Sequence, residues 1–260
     1  MRPNKLRELL KAGQPTLATH IHTTWPSVVE AIGCTGLYDY VEFVGEYGPY
    51  DLHDLDNLCR AAEVHNMSMM IKVDQEPRGF LAQRAIGSGF HSVLFADCRS
   101  ADDVRECVRI VRPETPEDDG THGMAGGRSA AGGGAAALVQ SYRDAVVMLM
   151  IEKKGAIESL EAILSVPGID MVQFGPSDYS MSIGQAGQRT SDQVVEAREH
   201  TIETALKMGV QPRAEINEAR EADAYLELGV RHFNIGTDTG VLSRWYAEQG
   251  GAMREMLAKV

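Results

Sequence analysis

The sequence predicts a single (β/α)8 TIM barrel over residues 1–260. Three observations carry that expectation. The chain has 260 residues, 43% of them hydrophobic, the usual size of one such barrel with enough apolar material for one large core. Eight short apolar runs alternate with segments of helical periodicity, and no shift of composition marks a second domain. The clearest run, residues 146–151, has no polar alternation, as expected for a strand covered on both faces. An open doubly wound sheet is the alternative, which a count of eight strands disfavours.

The elements follow in order. Residues 5–11 read as a short helix able to plug the bottom of a barrel, and residues 15–23 as the first strand, with His20 and His22 on one face. Trp25-Pro26 opens a helix, since the first helical turn tolerates proline. The second strand, 38–44, ends in Gly45-Glu46-Tyr47-Gly48-Pro49, a glycine-flanked turn that exposes Glu46 and Tyr47. A helix at 55–65 leads to strand 68–73, which carries Lys72 near its end. Helix 77–87, strand 91–95 and helix 101–111 come next, the last introduced by a capping pattern from Ser100 to Asp103. Residues 113–137, dominated by Gly, Ala, Pro and Asp, read as a long loop. Strands at 145–151 and 169–174 flank a helix at 156–166. Helix 191–208, strand 211–215, helix 218–228, strand 232–235 and a final helix at 241–257 complete the pattern.

A formal net charge of -12 argues against nucleic acid or an anionic membrane as partner, because both are sought by basic patches. It leaves room for a small anionic substrate met by a local cationic pocket. Cys34, Cys59, Cys98 and Cys107 form neither a C-x-x-C pair nor a disulfide framework, and residues 1–5 lead into an amphipathic helix. A reducing cytoplasm is expected. No apolar run approaches the roughly 20 residues of a spanning helix.

Two carboxylates stand where strands run out into loops. Glu152 ends the run 146–151, and Asp178 follows the next strand in Phe174-Gly175-Pro176-Ser177-Asp178. A right-handed β-α-β crossover sets consecutive strands side by side, so both emerge at one rim, where parallel α/β proteins keep their chemistry. Such a pair suits Mg²⁺ or Mn²⁺, with Co²⁺ or Zn²⁺ as alternatives. It could equally do acid/base work, or be structural, with Glu152 paired to a lysine and Asp178 capping a turn. The turns at 175–178 and 236–240 can face backbone N–H groups inward toward an anion. Lys72 suits a substrate carboxylate, a Schiff base if burial lowered its pKa, or plain solvent. Glu215 and Asp238 also lie near strand ends, and a core histidine is the bland reading of His20 or His22.

Met150-Ile151-Glu152-Lys153, the stretch from Phe174 to Gly184 and Gly236-Thr237-Asp238-Thr239-Gly240-Val241-Leu242 together resemble the HpcH/HpaI aldolase family, metal-dependent class II pyruvate aldolases acting on 4-hydroxy-2-oxo acids. The likeness covers nearly the whole chain, and residues 150–184 are its specific part. It implies a barrel whose last helix is exchanged between subunits of a dimer-based homo-oligomer, commonly a hexamer. The apolar content of the final helix, with Trp245, Tyr246, Met253 and Met256, agrees. The resemblance implies that Glu152 and Asp178 ligate the metal and that Gly175, Pro176 and Ser177 build the receptor for the substrate carboxylate.

The chain departs from the family in its acid/base half. The family's Asp-x-Glu-His segment reads Val44-Gly45-Glu46-Tyr47 here, keeping Glu46 and losing both members of the proton-transfer dyad. The family's substrate-binding arginine after strand three becomes Lys72. A loop arginine aligns with His122, which with Glu46 is expected to contact substrate, and a strand-one tryptophan aligns with His20. The expected activity is cleavage of a 2-oxo acid through a pyruvate-type enolate, with His20 supplying the lost base, Tyr47 orienting substrate and a metal-activated water as the alternative base. Decarboxylation or hydrolysis on the same metal, or a catalytically silent small-acid-binding protein, are the other readings.

Overall fold

The computed structural model describes residues 3–125, 128 and 134–260. Eight parallel strands close a barrel in sequence order, β8 pairing back onto β1. They are β1 (Thr16–Ile21), β2 (Tyr40–Val44), β3 (Ser68–Val73), β4 (Ser92–Phe95), β5 (Val146–Ile151), β6 (Met171–Phe174), β7 (Gln211–Ile216) and β8 (His232–Thr237). Successive side chains alternate between faces. Val41, Phe43, Ile71, Val93, Val147 and Leu149 therefore point outward into the large core shared with the helices. Tyr40, Met70, Leu94, Met148 and Met171 fill the inside.

Helix α1 (Lys5–Lys11) plugs the amino-terminal end as the sequence suggests. Leu6 enters the inner cluster fully buried, Asn4 donates to the carbonyls of His91 and Asp144, both at 2.9 Å, and Arg7 makes a bidentate pair with Asp170 at 2.5 and 2.7 Å. The outer helices are α2 (Pro26–Cys34), α3 (Leu52–Val64), α4 (Arg78–Ser88), α5 (Ala101–Val111), α6 (Gly134–Asp144), α7 (Lys154–Glu158), α8 (Leu160–Leu164), α9 (Pro176–Ser182), α10 (Asp192–Lys207), α11 (Ala222–Glu227) and α12 (Asp238–Leu257). Asp51 and Ser100 close capping boxes on α3 and α5, each satisfying otherwise orphaned amides of the first turn.

Five segments differ from the sequence reading: the helix expected at 218–228 is a 3-10 turn (Ala219–Glu221) followed by α11, and the final helix begins at Asp238, inside the turn expected at 236–240. The stretch expected as a loop to residue 137 ends in α6, which begins inside a Gly/Ala run where apolar periodicity has nothing to register; residues 126, 127 and 129–133 of that stretch lie outside the described residues. The single helix expected at 156–166 is broken at Ser159 into α7 and α8. The expected turn at 175–178 is the start of α9, with Pro176 in its first turn, where a missing N–H costs nothing.

Helix α12 buries none of its residues, leaving Trp245 58% and Tyr246 64% exposed. The outward side chains of β8, Phe233 and Ile235, are only half covered. Among the described residues no helix is long and apolar enough to cross a membrane.

His122 is not at the mouth of the barrel, which corrects its expected contact with substrate. It is buried and stacked on Tyr142 at 3.8 Å between ring centroids, and its N–H donates to the Arg112 carbonyl. The Arg112 side chain in turn donates to the carbonyls of Tyr142 and Ala145, ahead of β5, at the opposite end of the strands. Burial pushes its pKa from 6.5 down to about 4, and burial followed by the nearby Arg213 charge does the same to His232. Both rings stay neutral in the fold and take up protons on unfolding. Their stability contribution is therefore complete above about pH 6.5 and lost as pH falls toward 4. In His122→Phe, which keeps the ring stack, urea midpoints should fall less steeply over that window than in the wild type; identical slopes would remove His122 from the acid response.

Candidate active site

A cavity of about 620 Å³ opens at the carboxyl ends of the strands, and His20, His22, Tyr47, Lys72, Glu152, Gly175, Pro176, Ser177 and Asp178 all line it. Glu46 reaches it through an ion pair with Lys72. One site thus gathers every residue expected there from the sequence except His122.

Glu152 follows β5 directly and is 2% exposed. Its Oε1 accepts from the Asp97 N–H at 2.9 Å. Burial pushes its carboxyl up, and the Lys72 charge and that amide oppose the shift. Gly175 makes room for it: a Cβ there would lie 2.7 Å from both the Glu152 Cβ and Oε2. Asp178, in the first turn of α9, accepts from Lys153 Nζ at 2.9 Å. Among the described residues no group of three or more His, Cys, Asp and Glu side chains is arranged around a metal. Glu152 and Asp178 present two carboxylates to the same cavity. That set fits a hard divalent ion that keeps waters and takes substrate oxygens, and falls short of a four-ligand structural zinc site.

Lys72 is 8% exposed. Burial alone would lower its pKa, but Glu152 and Glu46 outweigh burial and raise it above the ordinary lysine value. That direction favours an ammonium that binds an anion over a free amine that forms a Schiff base. Its Nζ lies 5.1 Å from the centroid of the Tyr47 ring. Although Tyr47 is 60% exposed, its partial burial pushes it up to about 12 despite Lys72, toward the neutral phenol.

His20 is 6% exposed, stacked on His22 at 5.7 Å, with its Nδ1 2.9 Å from the Asn234 amide nitrogen. It is a hydrogen-bonded cavity residue, not a packed core histidine. Beneath it the barrel carries a polar floor that sequence reasoning missed. Arg213 Nε donates to Gln173 Oε1 at 2.7 Å, one Nη donates to the Tyr40 hydroxyl at 3.2 Å, and the other pairs with Glu42. Burial would raise the Glu42 carboxyl, yet Arg213 holds it below the usual range. The available signal was a lone acid in Tyr40-Val41-Glu42-Phe43-Val44 and a base flanked by apolar residues in Pro212-Arg213-Ala214, opposite charges inside two strands.

Asp238 has a structural role. Its carboxylate accepts from the N–H groups of His22 at 3.0 Å and Thr23 at 3.1 Å, pinning the loop after β1, while Thr237 caps α12. The segment 236–240 is thus occupied by its own hydrogen bonds. Glu215 is exposed and accepts from Gln173 at 2.9 Å.

A sequence model of the HpcH/HpaI aldolase/citrate lyase family matches residues 20–244. The chain belongs to this family. Among HpcH/HpaI relatives, a hydroxypyruvate/pyruvate aldolase of Paraburkholderia phytofirmans is 26% identical over 90% of this chain and 92% of its own. A 4-hydroxy-2-oxo-heptane-1,7-dioate aldolase of Shigella boydii is 28% identical over 93% and 91%. A solved HpcH/HpaI family protein of Burkholderia cenocepacia superposes with a TM-score of 0.88 at 25% identity, covering 97% of this chain and 100% of that one.

The floor pair carries a stability prediction. Arg213→Met leaves Glu42 buried and uncompensated, and should cost about 3 to 5 kcal/mol. Replacing both residues by Leu and Met should recover most of that loss. A single variant as stable as the wild type in chemical denaturation would contradict this account of the floor.

Proposed function

We propose that this HpcH/HpaI member is a metal-dependent aldolase that cleaves a 4-hydroxy-2-oxo acid, or a closely related small carboxylate, into a pyruvate-type enolate and an aldehyde. The observation that carries the reading is one cavity lined by Glu152, Asp178, Lys72 and His20 in a chain of an aldolase family. Glu152 and Asp178 would hold Mg²⁺ or Mn²⁺. Such an ion, when bound, supplies Lewis-acid polarisation of the keto group.

The chain's own residues account for the rest. The amides of Ser177 and Asp178 at the start of α9 receive the substrate carboxylate, and Gly175 and Pro176 bring that backbone to the ligand. Lys72, fixed by Glu46, is a standing positive charge for the oxygen on which negative charge develops. Neutral Tyr47 donates to a substrate oxygen and orients it. His20 removes the proton of the 4-hydroxyl; the C3–C4 bond breaks, its electron pair forms the enolate, and the new C=O leaves as aldehyde. Protonation at C3 then gives pyruvate or its homologue. For His20 Nε2 to accept that proton, Nδ1 must carry the hydrogen and donate it to the Asn234 oxygen.

The naked α12 and half-covered β8 support exchange of the last helix within a dimer-based oligomer, since an apolar helix standing free is normally an interface. The four cysteines are free, which suits the cytoplasm.

Pyruvate release from 4-hydroxy-2-oxo acids should require added Mn²⁺ or Mg²⁺, and Glu152→Gln should lose it together with Mn²⁺ affinity by calorimetry. His20→Asn, with metal occupancy matched, should lose about 10²-fold or more in turnover, as for a general base; a loss under about tenfold would take the role from His20. Light scattering at micromolar concentration should give a multiple of the 28.4 kDa chain, and a monomeric mass would end the exchange reading.

A further inference from the structure

We propose that Asp97 is a positioning residue for the metal-binding pair, holding Glu152 by its own backbone N–H and Asp178 through Lys153. This rests on the metal reading of those two carboxylates.

The chain leaves β4 at Phe95, makes a last ladder bond from the Ala96 N–H to Val73, and then turns at Asp97 with φ +58°. A non-glycine residue enters this left-handed region at a cost that aspartate tolerates better than most. The turn has a use. It accompanies an Asp97 N–H aimed at Glu152 Oε1, 2.9 Å away. The Asp97 carboxylate meets Lys153 Nζ at 2.5 Å, and the same ammonium meets Asp178 Oδ1 at 2.9 Å. Lys153 directly follows Glu152 in the chain. One residue beyond β4 therefore ties down both carboxylates, one from the end of β5 and one from the first turn of α9.

The contacts are made to one oxygen of each carboxylate, Glu152 Oε1 and Asp178 Oδ1. The missing side chain at Gly175 keeps space around Glu152 Oε2. Lys153 is 15% exposed, largely shielded between the two carboxylates it bridges. Outer partners that orient metal ligands in this way typically contribute 10- to 100-fold to metal affinity.

Charge counting predicts the opposite for Lys153. Removing a positive charge beside the site would favour a divalent cation; removing a strut that orients Asp178 would disfavour it. Mn²⁺ titration calorimetry on the full chain separates the two. Asp97→Gly suits the left-handed backbone while deleting the carboxylate, so the fold is expected to survive. It and Lys153→Met should each weaken Mn²⁺ binding about tenfold or more. The double variant should be no weaker than the worse single one, and Lys153→Arg should regain most of the affinity. Unchanged or tighter Mn²⁺ binding in Lys153→Met, with wild-type binding abolished by Glu152→Gln, overturns the positioning role alone. No Mn²⁺ binding by the wild type overturns the metal reading and this inference with it.

Discussion

A buried charge must be answered by another charge or by hydrogen bonds, because taking an ion out of water costs several kcal/mol even after relaxation, roughly. This constraint organises the mouth of the barrel. Glu42 is met by Arg213, Glu46 by Lys72, Asp178 by Lys153, and Glu152 by an amide and the field of Lys72. Each partner comes from a different strand or strand end, so the pairs also stitch the rim together. Below them the barrel is closed by Leu6 and an apolar layer around Tyr40, Met70 and Met148. The polar half can exist because the apolar half supplies the burial that folds the chain.

The same pairing decides which groups can move a proton. Glu152 and Glu46 push Lys72 toward the ammonium, while partial burial pushes Tyr47 toward the neutral phenol against the pull of Lys72. Both are then suited to binding and field stabilisation rather than to proton transfer. Imidazole is the side chain suited to that task near neutrality, and His20 stands among these fixed groups in hydrogen-bonded contact with a neutral amide. His20 enters this half of the site from β1, across the β1–β2 pairing that sets it beside Glu42.

How much was legible in the sequence follows from which signals are local. Apolar runs and caps are local, so the eight strands, the plug helix and α5 could be read within a residue or two. Glu152 and Asp178 were legible because chain direction alone places strand ends at one rim. The polar floor was not, since Glu42 and Arg213 lie 171 residues apart and only barrel closure makes them neighbours. The role of Asp238 was hidden for the same reason: β8 must return to β1 before its carboxylate can find His22 and Thr23. His122 misled because alignment places a residue in a loop without saying where the loop lies, and this one packs against Tyr142 at the wrong end.

The contact between His20 and Asn234 shows how little separates two chemistries in this site. With the Asn234 amide nitrogen toward the ring, Nδ1 is the acceptor, the neutral imidazole carries its proton on Nε2, and His20 presents a donor to the cavity. With the amide reversed, Nδ1–H donates to Oδ1 and Nε2 presents a lone pair, which retro-aldol cleavage requires. Heavy-atom positions do not distinguish the two amide orientations, but the hydrogen-bond inventory bears on it. In the first arrangement Asn234 Oδ1 is buried without a partner, the kind of orphan that costs about 1 to 3 kcal/mol. Reversal gives Oδ1 a partner and leaves the amide N–H groups to find one, which a substrate oxygen or an ordered water in the cavity can supply. On the proposed aldolase reading, a substrate that accepts from Asn234 would favour the tautomer that makes His20 a base, so that binding and proton abstraction would share one amide.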